Sequence, residues 1–238
     1  MMSLRTLFHL AAFAHDAFSF WYDYTYVNLR HLSTKPDIEF ARGKLKYLTV
    51  WNLVLQAFFF SVCFLNDILG CKQKTKGHEG CLQKFKDYLQ TCLAFPISFF
   101  VGLTFWAIYF VDRELVLPRA VDQYFPWWLN QCVHTNIMVF ILIEMFISQA
   151  RYPPKKIGYS VLTVFMLVYL VWIHVIHAYT NMWVYPVLDV LNMPLRIVFF
   201  LSLLALSLAL YTVGEKLNGC IWSKKRSTKY IHLTNKKD

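Results

Sequence analysis

A stripe of polar side chains runs along one face of the apolar segment from residue 47 to residue 67. Its members are a hydroxyl, two amides and a thiol, contributed by Thr49, Asn52, Gln56 and Cys63. At about 100° per residue these positions fall in one sector of a helix. Polar groups that faced lipid would lose their partners at a cost of about 1–3 kcal/mol each. The stripe is therefore predicted to face other helices or a cavity.

The chemistry available to this stripe is nucleophilic attack by Thr49. A threonine hydroxyl attacks an ester only if a base takes its proton, and His134, in another apolar segment, could do so. The acyl intermediate would then be released by water that His134 activates. Side-chain N–H groups of Asn52 and Asn130 could stabilise the oxyanion, which makes them the predicted substrate-binding residues. The pattern offers no evident acidic third residue.

Other chemistries fit the sequence less well. His174 and His177 form a single H-x-x-H pair, fewer histidines than a di-iron site uses, so neither a metal nor a cofactor is predicted. No G-x-S-x-G nucleophile elbow occurs, and paired broken helices of a transporter repeat are not evident. A structural interpretation also stays open, in which His134 is a core histidine and the Thr49 hydroxyl bonds a carbonyl one turn earlier.

The elements that would position these residues are membrane-spanning helices. The chain has 238 residues, 57% of them hydrophobic and 18% aromatic, which is too apolar for an ordinary soluble domain. Each of six apolar runs approaches the 20 or so residues that a helix needs to cross a bilayer. They occupy residues 4–22, 48–66, 92–111, 128–149, 157–178 and 194–213. The predicted fold is an all-α integral membrane bundle of about six transmembrane helices.

Local signals refine this bundle. Because a proline in the first turn of a helix costs little, Pro96 predicts that the third helix begins at residues 94–96. Residues 67–90 are predicted to form a polar surface loop, whose lysines are Lys72, Lys74, Lys76, Lys84 and Lys86. The ionisable residues of the first run are predicted to face the bundle interior, and these are His9, His15 and Asp16.

Charge placement predicts the orientation. The membrane face that holds both termini carries about twice as many Lys and Arg residues as the opposite face, which puts both termini in the cytoplasm. Residues 1–222 would form one transmembrane domain and residues 223–238 a basic cytoplasmic tail against anionic lipid. Either the plasma membrane or the endoplasmic reticulum fits this pattern. The net charge of +10 is spread over loops and tail, so nucleic-acid binding is not predicted.

Topology also relates the two chemical residues. The second and fourth helices begin on the same membrane face, so Thr49 and His134 lie within the first turns from that face. Their shared depth does not depend on which face is cytoplasmic. The predicted pair is therefore geometrically possible before any tertiary structure is known.

Seven short motifs follow one another along the chain. They read K-Y-L-T-x-x-N-L-x-L-Q at 46–56, L-A-F-P at 93–96, F-W-x-I-Y at 105–109, D-R-E at 112–114, W-L-N-x-x-x-H-T at 128–135, W-V-Y-P at 183–186 and G-E-K-L-N at 214–218. Together they resemble the androgen-induced protein family over residues 40 to 222. The resemblance implies a multi-pass membrane hydrolase that cleaves fatty acid esters of hydroxy fatty acids. It also implies that the family's threonine and histidine fall on Thr49 and His134.

The sequence thus predicts a membrane-embedded, threonine-dependent hydrolase of lipid esters, with Thr49 as nucleophile and His134 as general base. Its partners would be a lipid ester with long acyl chains and the surrounding membrane lipid, and no protein partner is indicated. The alternative is a non-enzymatic multi-pass membrane protein that regulates a partner protein. In that case the polar stripe would serve only helix packing.

Overall fold

The computed structural model describes residues 3–27, 43–70 and 80–234. Across these ranges the regular structure is helical, and no β-strand occurs in them. Six long helices follow in order: α1 (Leu4–Tyr26), α2 (Leu48–Gly70), α3 (Cys81–Val111), α4 (Trp127–Ile147), α5 (Lys155–Thr180) and α6 (Met193–Thr234). The four-residue helix Val187–Val190 lies in the connection between α5 and α6.

The predicted all-α membrane bundle is confirmed. Each of the helices α2 to α6 contains a segment that is long and apolar enough to cross a membrane. The helix α1 has 23 residues, which span roughly 35 Å. Its buried face is polar and includes His9 and Asp16, whereas Leu7 and Trp21 are exposed on its outer face. The predicted count of about six helices is therefore made up of the five apolar helices α2 to α6 and of α1, whose polar side faces the bundle interior.

The third helix begins earlier than predicted. Instead of starting at residues 94–96, α3 begins at Cys81 and passes through a π-helical turn, Gln90–Ala94, before Pro96. A proline inside a regular α-helix costs about 3 kcal/mol or more, because it loses an N–H donor and its ring meets a carbonyl. The wider turn relieves this conflict, since Phe95 N–H reaches back five residues to the Gln90 carbonyl. The helix can therefore continue through the proline.

The predicted polar loop was wrong for residues 67–70, which belong to α2, and for residues 81–90, which belong to α3. Lys86 is buried within the bundle, where its Nζ lies 3.3 Å from Glu144 Oε1 and 2.8 Å from Ser148 Oγ. A charged side chain in a polar stretch suggested solvent exposure, but here the charge is neutralised inside the protein. The other lysines of that prediction, except Lys84, lie outside the described residues.

Glu144 connects Lys86 to a histidine between two carboxylates. His9 Nε2 lies 2.7 Å from Glu144 Oε2, and His9 Nδ1 lies 2.8 Å from Asp67 Oδ2. Asp67 also pairs with Arg5. These contacts join α1, α2, α3 and α4 through paired charges, which is the arrangement that makes buried ionisable groups tolerable. The prediction that His9 and Asp16 face inward is confirmed, while His15 remains partly exposed.

The helices α5 and α6 form the most open side of the bundle. Only 22% of the apolar segment of each is buried, compared with 50% for α2 and α3. Their outer faces carry exposed aliphatic side chains such as Val168, Val171 and Leu201. This surface is suited to lipid contact, and it lies next to the cavity described below.

The last helix also extends beyond its predicted end. The backbone of α6 continues to Thr234 without a break at residue 222. Residues 223–234 of the predicted basic tail are therefore helical. Residues 235–238 lie outside the described part of the chain. The division into a domain and a tail stays a prediction, as does the orientation of the termini.

Candidate active site

The predicted nucleophile and base meet where α2 approaches α4. Thr49 is the second residue of α2, and His134 lies in a π-helical turn of α4, Cys132–Asn136. Thr49 Oγ1 is 3.2 Å from His134 Nε2, within hydrogen-bond reach. The structure thus brings together two residues that lie 85 positions apart in the chain. Their catalytic roles stay a prediction.

The partners of His134 define which ring nitrogen can act as a base. His134 Nδ1 lies 2.8 Å from Asn130 Oδ1 and 3.2 Å from the Asn130 carbonyl oxygen. Since both oxygens are acceptors, Nδ1 carries the hydrogen and donates to them. The lone pair on Nε2 therefore faces the Thr49 hydroxyl, which is the tautomer a general base needs.

Packing holds the imidazole ring in place. The Phe105 ring lies parallel to the His134 ring, with centroids 3.6 Å apart and planes at 9°. One turn earlier on α3, Gly102 lets the two helix backbones approach closely, because any side chain there would meet the His134 carbonyl. His134 is buried by these contacts. The His134 ring is stacked on Phe105 at one face and hydrogen-bonded to Asn130 at one edge, so it has little freedom to rotate.

The two predicted oxyanion donors differ in their surroundings. Asn52 Oδ1 accepts a hydrogen bond from Gln56 Nε2 at 3.1 Å. The buried Nδ2 groups of both Asn52 and Asn130 find no acceptor among the described residues. Asn130 bonds the Nδ1 edge of His134, whereas Thr49 lies at the Nε2 edge. This location gives Asn130 an orienting contact with the imidazole ring. The oxyanion assignments of Asn52 and Asn130 both stay predictions.

Two tyrosines beside Thr49 were missed by the sequence reasoning. The Leu48 N–H, in the first turn of α2, donates to the hydroxyl oxygens of Tyr169 at 3.0 Å and Tyr185 at 3.1 Å. These hydroxyls are 2.9 Å apart, and both residues line the same cavity as Thr49. Burial raises the pKa of the Tyr185 phenol, so it stays protonated at neutral pH and can donate. The W-V-Y-P motif at 183–186 was the available signal.

Thr49 lies on the wall of a cavity of about 210 Å³. The wall is almost entirely apolar and is formed by α2, α3, α5, α6 and the connection before α6, with residues such as Phe100, Phe105, Leu170, Leu188 and Phe199. Leu167 and Leu201 line the cavity and are also exposed on the outer surface of the bundle. The cavity is therefore bordered by lipid-facing side chains between α5 and α6. Such a space accommodates hydrocarbon rather than a polar solute.

Within the described part of the chain, the side chains close enough together to hold a metal belong to the buried ion-pair network. Ligand atoms of His9, Cys63 and Glu144 lie within 4.8 Å of one another. Both ring nitrogens of His9 already contact carboxylates, and Glu144 also pairs with Lys86. These contacts give each charge a partner inside the protein, so we assign the group to helix packing. The histidines of the H-x-x-H pair both contact the Trp183 ring instead.

The fold and this site define a multi-pass α-helical membrane protein in which a threonine and a histidine form a hydrogen-bonded pair beside an apolar cavity. The chain belongs to the FAR-17a/AIG1-like protein family, and the family model matches residues 4–219. It is 38% identical over 198 residues to the androgen-induced gene 1 protein of Homo sapiens, covering 81% of this chain and 83% of that protein. It is 42% identical over 183 residues to the androgen-dependent TFPI-regulating protein of Mus musculus, covering 76% and 78%. No solved structure matches the chain.

Proposed function

We propose that this protein hydrolyses the ester bond of fatty acid esters of hydroxy fatty acids within the membrane. The observation that carries the proposal is the 3.2 Å contact between Thr49 Oγ1 and His134 Nε2 beside an apolar cavity. A hydroxyl paired with the unprotonated nitrogen of an oriented imidazole is the arrangement used to activate a nucleophile. The family membership supports a membrane protein, and the choice of substrate rests on the resemblance noted above.

In the first half of the reaction, Thr49 Oγ1 attacks the ester carbonyl carbon while His134 Nε2 takes the hydroxyl proton. The tetrahedral intermediate then collapses, and the imidazolium returns this proton to the leaving alkoxide. The products are a hydroxy fatty acid and an acyl group on Thr49. Asn130 keeps the ring oriented throughout because it holds Nδ1–H.

In the second half, His134 removes a proton from water as the water oxygen attacks the acyl carbonyl. Collapse of the second intermediate breaks the bond to Thr49 Oγ1, which regains its proton from His134. A free fatty acid leaves, and the starting state is restored. The reaction needs no group beyond the side chains and water.

Negative charge on the carbonyl oxygen would develop at the first turn of α2. The positive end of a helix dipole stabilises such charge, and first-turn N–H groups have no partner inside the helix. Leu48 N–H is paired with the two tyrosine hydroxyls, and Val50 and Trp51 N–H are paired with the Tyr47 carbonyl. The Thr49 N–H is left without a partner among the described residues. This N–H and the Tyr185 hydroxyl are our candidate oxyanion donors, together with the predicted Asn52.

The Tyr185 hydrogen is available for this role. Tyr169 donates its own hydrogen to the Lys46 carbonyl at 2.9 Å. Tyr185 therefore donates either to the Tyr169 oxygen or, after rotation of its hydroxyl, to an oxyanion in the cavity.

Long acyl chains would enter from the bilayer between α5 and α6, where the cavity wall meets lipid. We retain the predicted orientation, in which both termini lie on the cytoplasmic side of the membrane. That membrane would be the plasma membrane or the endoplasmic reticulum.

The test measures ester hydrolysis by purified protein in lipid nanodiscs. Thr49→Ala and His134→Ala should each reduce the rate by at least about a thousandfold, because each removes a reacting group. Thr49→Ser should keep part of the activity. A fluorophosphonate probe should label the wild type at Thr49 and neither inactive variant.

The matched control is Thr212→Ala, which removes a threonine hydroxyl that bonds Leu208 and Tyr159 away from the cavity. Its rate should stay close to the wild type. Hydrolysis that persists in Thr49→Ala, or that falls equally in Thr212→Ala, would refute the proposed pair. A folded wild type with neither hydrolysis nor labelling would favour the alternative, a membrane protein that regulates a partner without catalysis.

A further inference from the structure

Arg196 has no acidic partner among the described residues and bonds a residue of the cavity wall. Arg196, in the first turn of α6, donates from Nε to the Leu188 carbonyl at 2.8 Å, and its guanidinium carbon lies 4.8 Å from the centre of the Trp183 ring. Among the described residues, its Nη1 hydrogen-bonds to Met193 Sδ, at 3.8 Å. No carboxylate of the described residues lies within ion-pair distance of it. The guanidinium is held in place without being neutralised there.

The contacts of Arg196 connect it directly to the cavity. Leu188, whose carbonyl accepts its hydrogen bond, lines the cavity, and so do Phe199 and Phe200 one turn later on α6. His177 stacks against Trp183 with ring centroids 4.0 Å apart, which fixes the aromatic surface under the guanidinium. Arg196 is therefore at the rim of the same space that holds Thr49.

The chemistry of the cavity wall makes this rim important for substrate binding. Its lining is almost entirely apolar, so it can accept acyl chains but cannot stabilise a charged group. An unpaired carboxylate buried in such surroundings would lose its hydration without any compensating partner, which is strongly unfavourable. A lipid ester that also carries a carboxylate must therefore place that group at the edge, where a cation can bind it.

We propose that Arg196 binds the free carboxylate of the ester substrate and so selects carboxylate-bearing lipid esters over neutral ones. This inference rests on the proposed hydrolase function. The planar guanidinium can donate two parallel N–H bonds to a carboxylate, which a lysine ammonium cannot reproduce. Nη2 forms no bond with the described residues and remains available for this contact. Arg196 is a specificity-determining residue in this scheme and takes no part in the chemical steps.

The experiment compares two substrates that differ only in the charged group. One is a hydroxy fatty acid esterified at its hydroxyl with a saturated fatty acid, and the other is the methyl ester of the same molecule. Wild type in nanodiscs should prefer the free acid. Arg196→Gln should lower kcat/KM for the free acid by about tenfold or more, mainly through KM, and leave the methyl ester unchanged. Arg196→Lys should recover only part of the preference.

Arg119→Gln is the matched control, because Arg119 lies between α3 and α4, at the membrane face from which α6 also starts. Its exposed side chain pairs with Glu114 and does not line the cavity. Neither substrate should respond to this change. A second measurement uses the Thr49→Ala background, in which Arg196→Gln should weaken binding of the intact free-acid ester by a similar factor.

Each remaining outcome overturns the inference. Equal loss for both substrates would make Arg196 a structural residue, and loss for neither would remove it from recognition. A selective effect in Arg119→Gln would assign the carboxylate to that residue instead. If the wild type hydrolysed neither substrate, the proposed function would fail along with the inference. Hydrolysis indifferent to Arg196 would overturn the carboxylate site alone.

Discussion

Replacing Gly102 by alanine tests whether the contact between α3 and α4 sets the geometry of the threonine–histidine pair. A Cβ atom built at Gly102 would lie 2.6 Å from the His134 carbonyl oxygen and 2.4 Å from Met138 Sδ. The methionine side chain can turn aside, but the carbonyl belongs to the backbone of the π turn that carries His134. The substitution must therefore move that backbone.

The size of the displacement follows from ordinary contact distances. Contacts of this kind begin near 3.4 Å, so the carbonyl must retreat by about 0.8 Å. If His134 moves away from Thr49 to the same extent, the 3.2 Å contact lengthens to about 4 Å and the hydrogen bond is lost. A misplacement of about 1 Å can lower a rate by about a hundredfold. Overpacking costs about 1–3 kcal/mol, offset by about 1 kcal/mol of helix propensity gained on replacing glycine.

The assay pairs ester hydrolysis with thermal unfolding in the same detergent. Gly102→Ala should lose about a hundredfold in rate while its stability falls by no more than about 2 kcal/mol. Gly158→Ala creates a similar clash with the Tyr211 side chain outside the cavity, and Gly219→Ala meets nothing within 4 Å. Gly158→Ala should lower stability without changing the hydrolysis rate. Gly219→Ala should lower neither the rate nor the stability. If Gly102→Ala kept the wild-type rate, the geometric argument for the pair would be wrong.

Three further substitutions test other parts of the structure. Tyr185→Phe removes a proposed oxyanion donor and should lower kcat by about 10²–10³-fold in initial-rate measurements, with little change in KM. Lys86→Met leaves Glu144 with one cationic partner fewer, and it should lower the free energy of unfolding by about 3–5 kcal/mol, measured by denaturation in detergent. Leu167→Trp narrows the lipid side of the cavity, so competition assays should show a greater loss for long-chain esters than for short-chain esters.

Each of these substitutions has a matched control. Tyr159→Phe removes a hydroxyl of α5 that bonds Thr212 rather than Tyr185, and it should leave kcat unchanged. Lys84→Met changes an exposed lysine two residues from Lys86, and Val164→Trp enlarges an exposed residue of α5 outside the cavity. If a control variant showed the same loss as the substitution that it is matched to, that loss would be due to general destabilisation. An unchanged kcat in Tyr185→Phe would remove that tyrosine from the oxyanion site.

Helix content and the location of the polar stripe could be predicted because both depend on local pattern. A chain in lipid must satisfy its own backbone hydrogen bonds, so long apolar runs become helices. Periodicity then puts Asn52, Gln56 and Cys63 on one face, and all three are fully buried. The shared depth of Thr49 and His134 followed from counting spans.

Lys86 and Pro96 show where local pattern misleads. A lysine in a charged stretch predicts solvent exposure, yet Lys86 meets Glu144, which lies 58 residues away in the chain. Pro96 predicts a helix start, yet the π turn before it allows the helix to continue. Both features depend on contacts or backbone adjustments that no local window contains.

By itself the sequence determined the helical membrane fold, the inward polar faces and the choice of Thr49 and His134 as the pair to examine. The fold and the polar faces follow from composition and periodicity, which act within one helix. Chain order put Thr49 and His134 at one depth, and the family resemblance selected them. Only the tertiary structure decided that Asn130 orients the imidazole, that Tyr185 lies at the first turn of α2, and that Arg196 borders the cavity. Such relations depend on how helices rotate and approach one another, and close packing of side chains distant in sequence sets those angles.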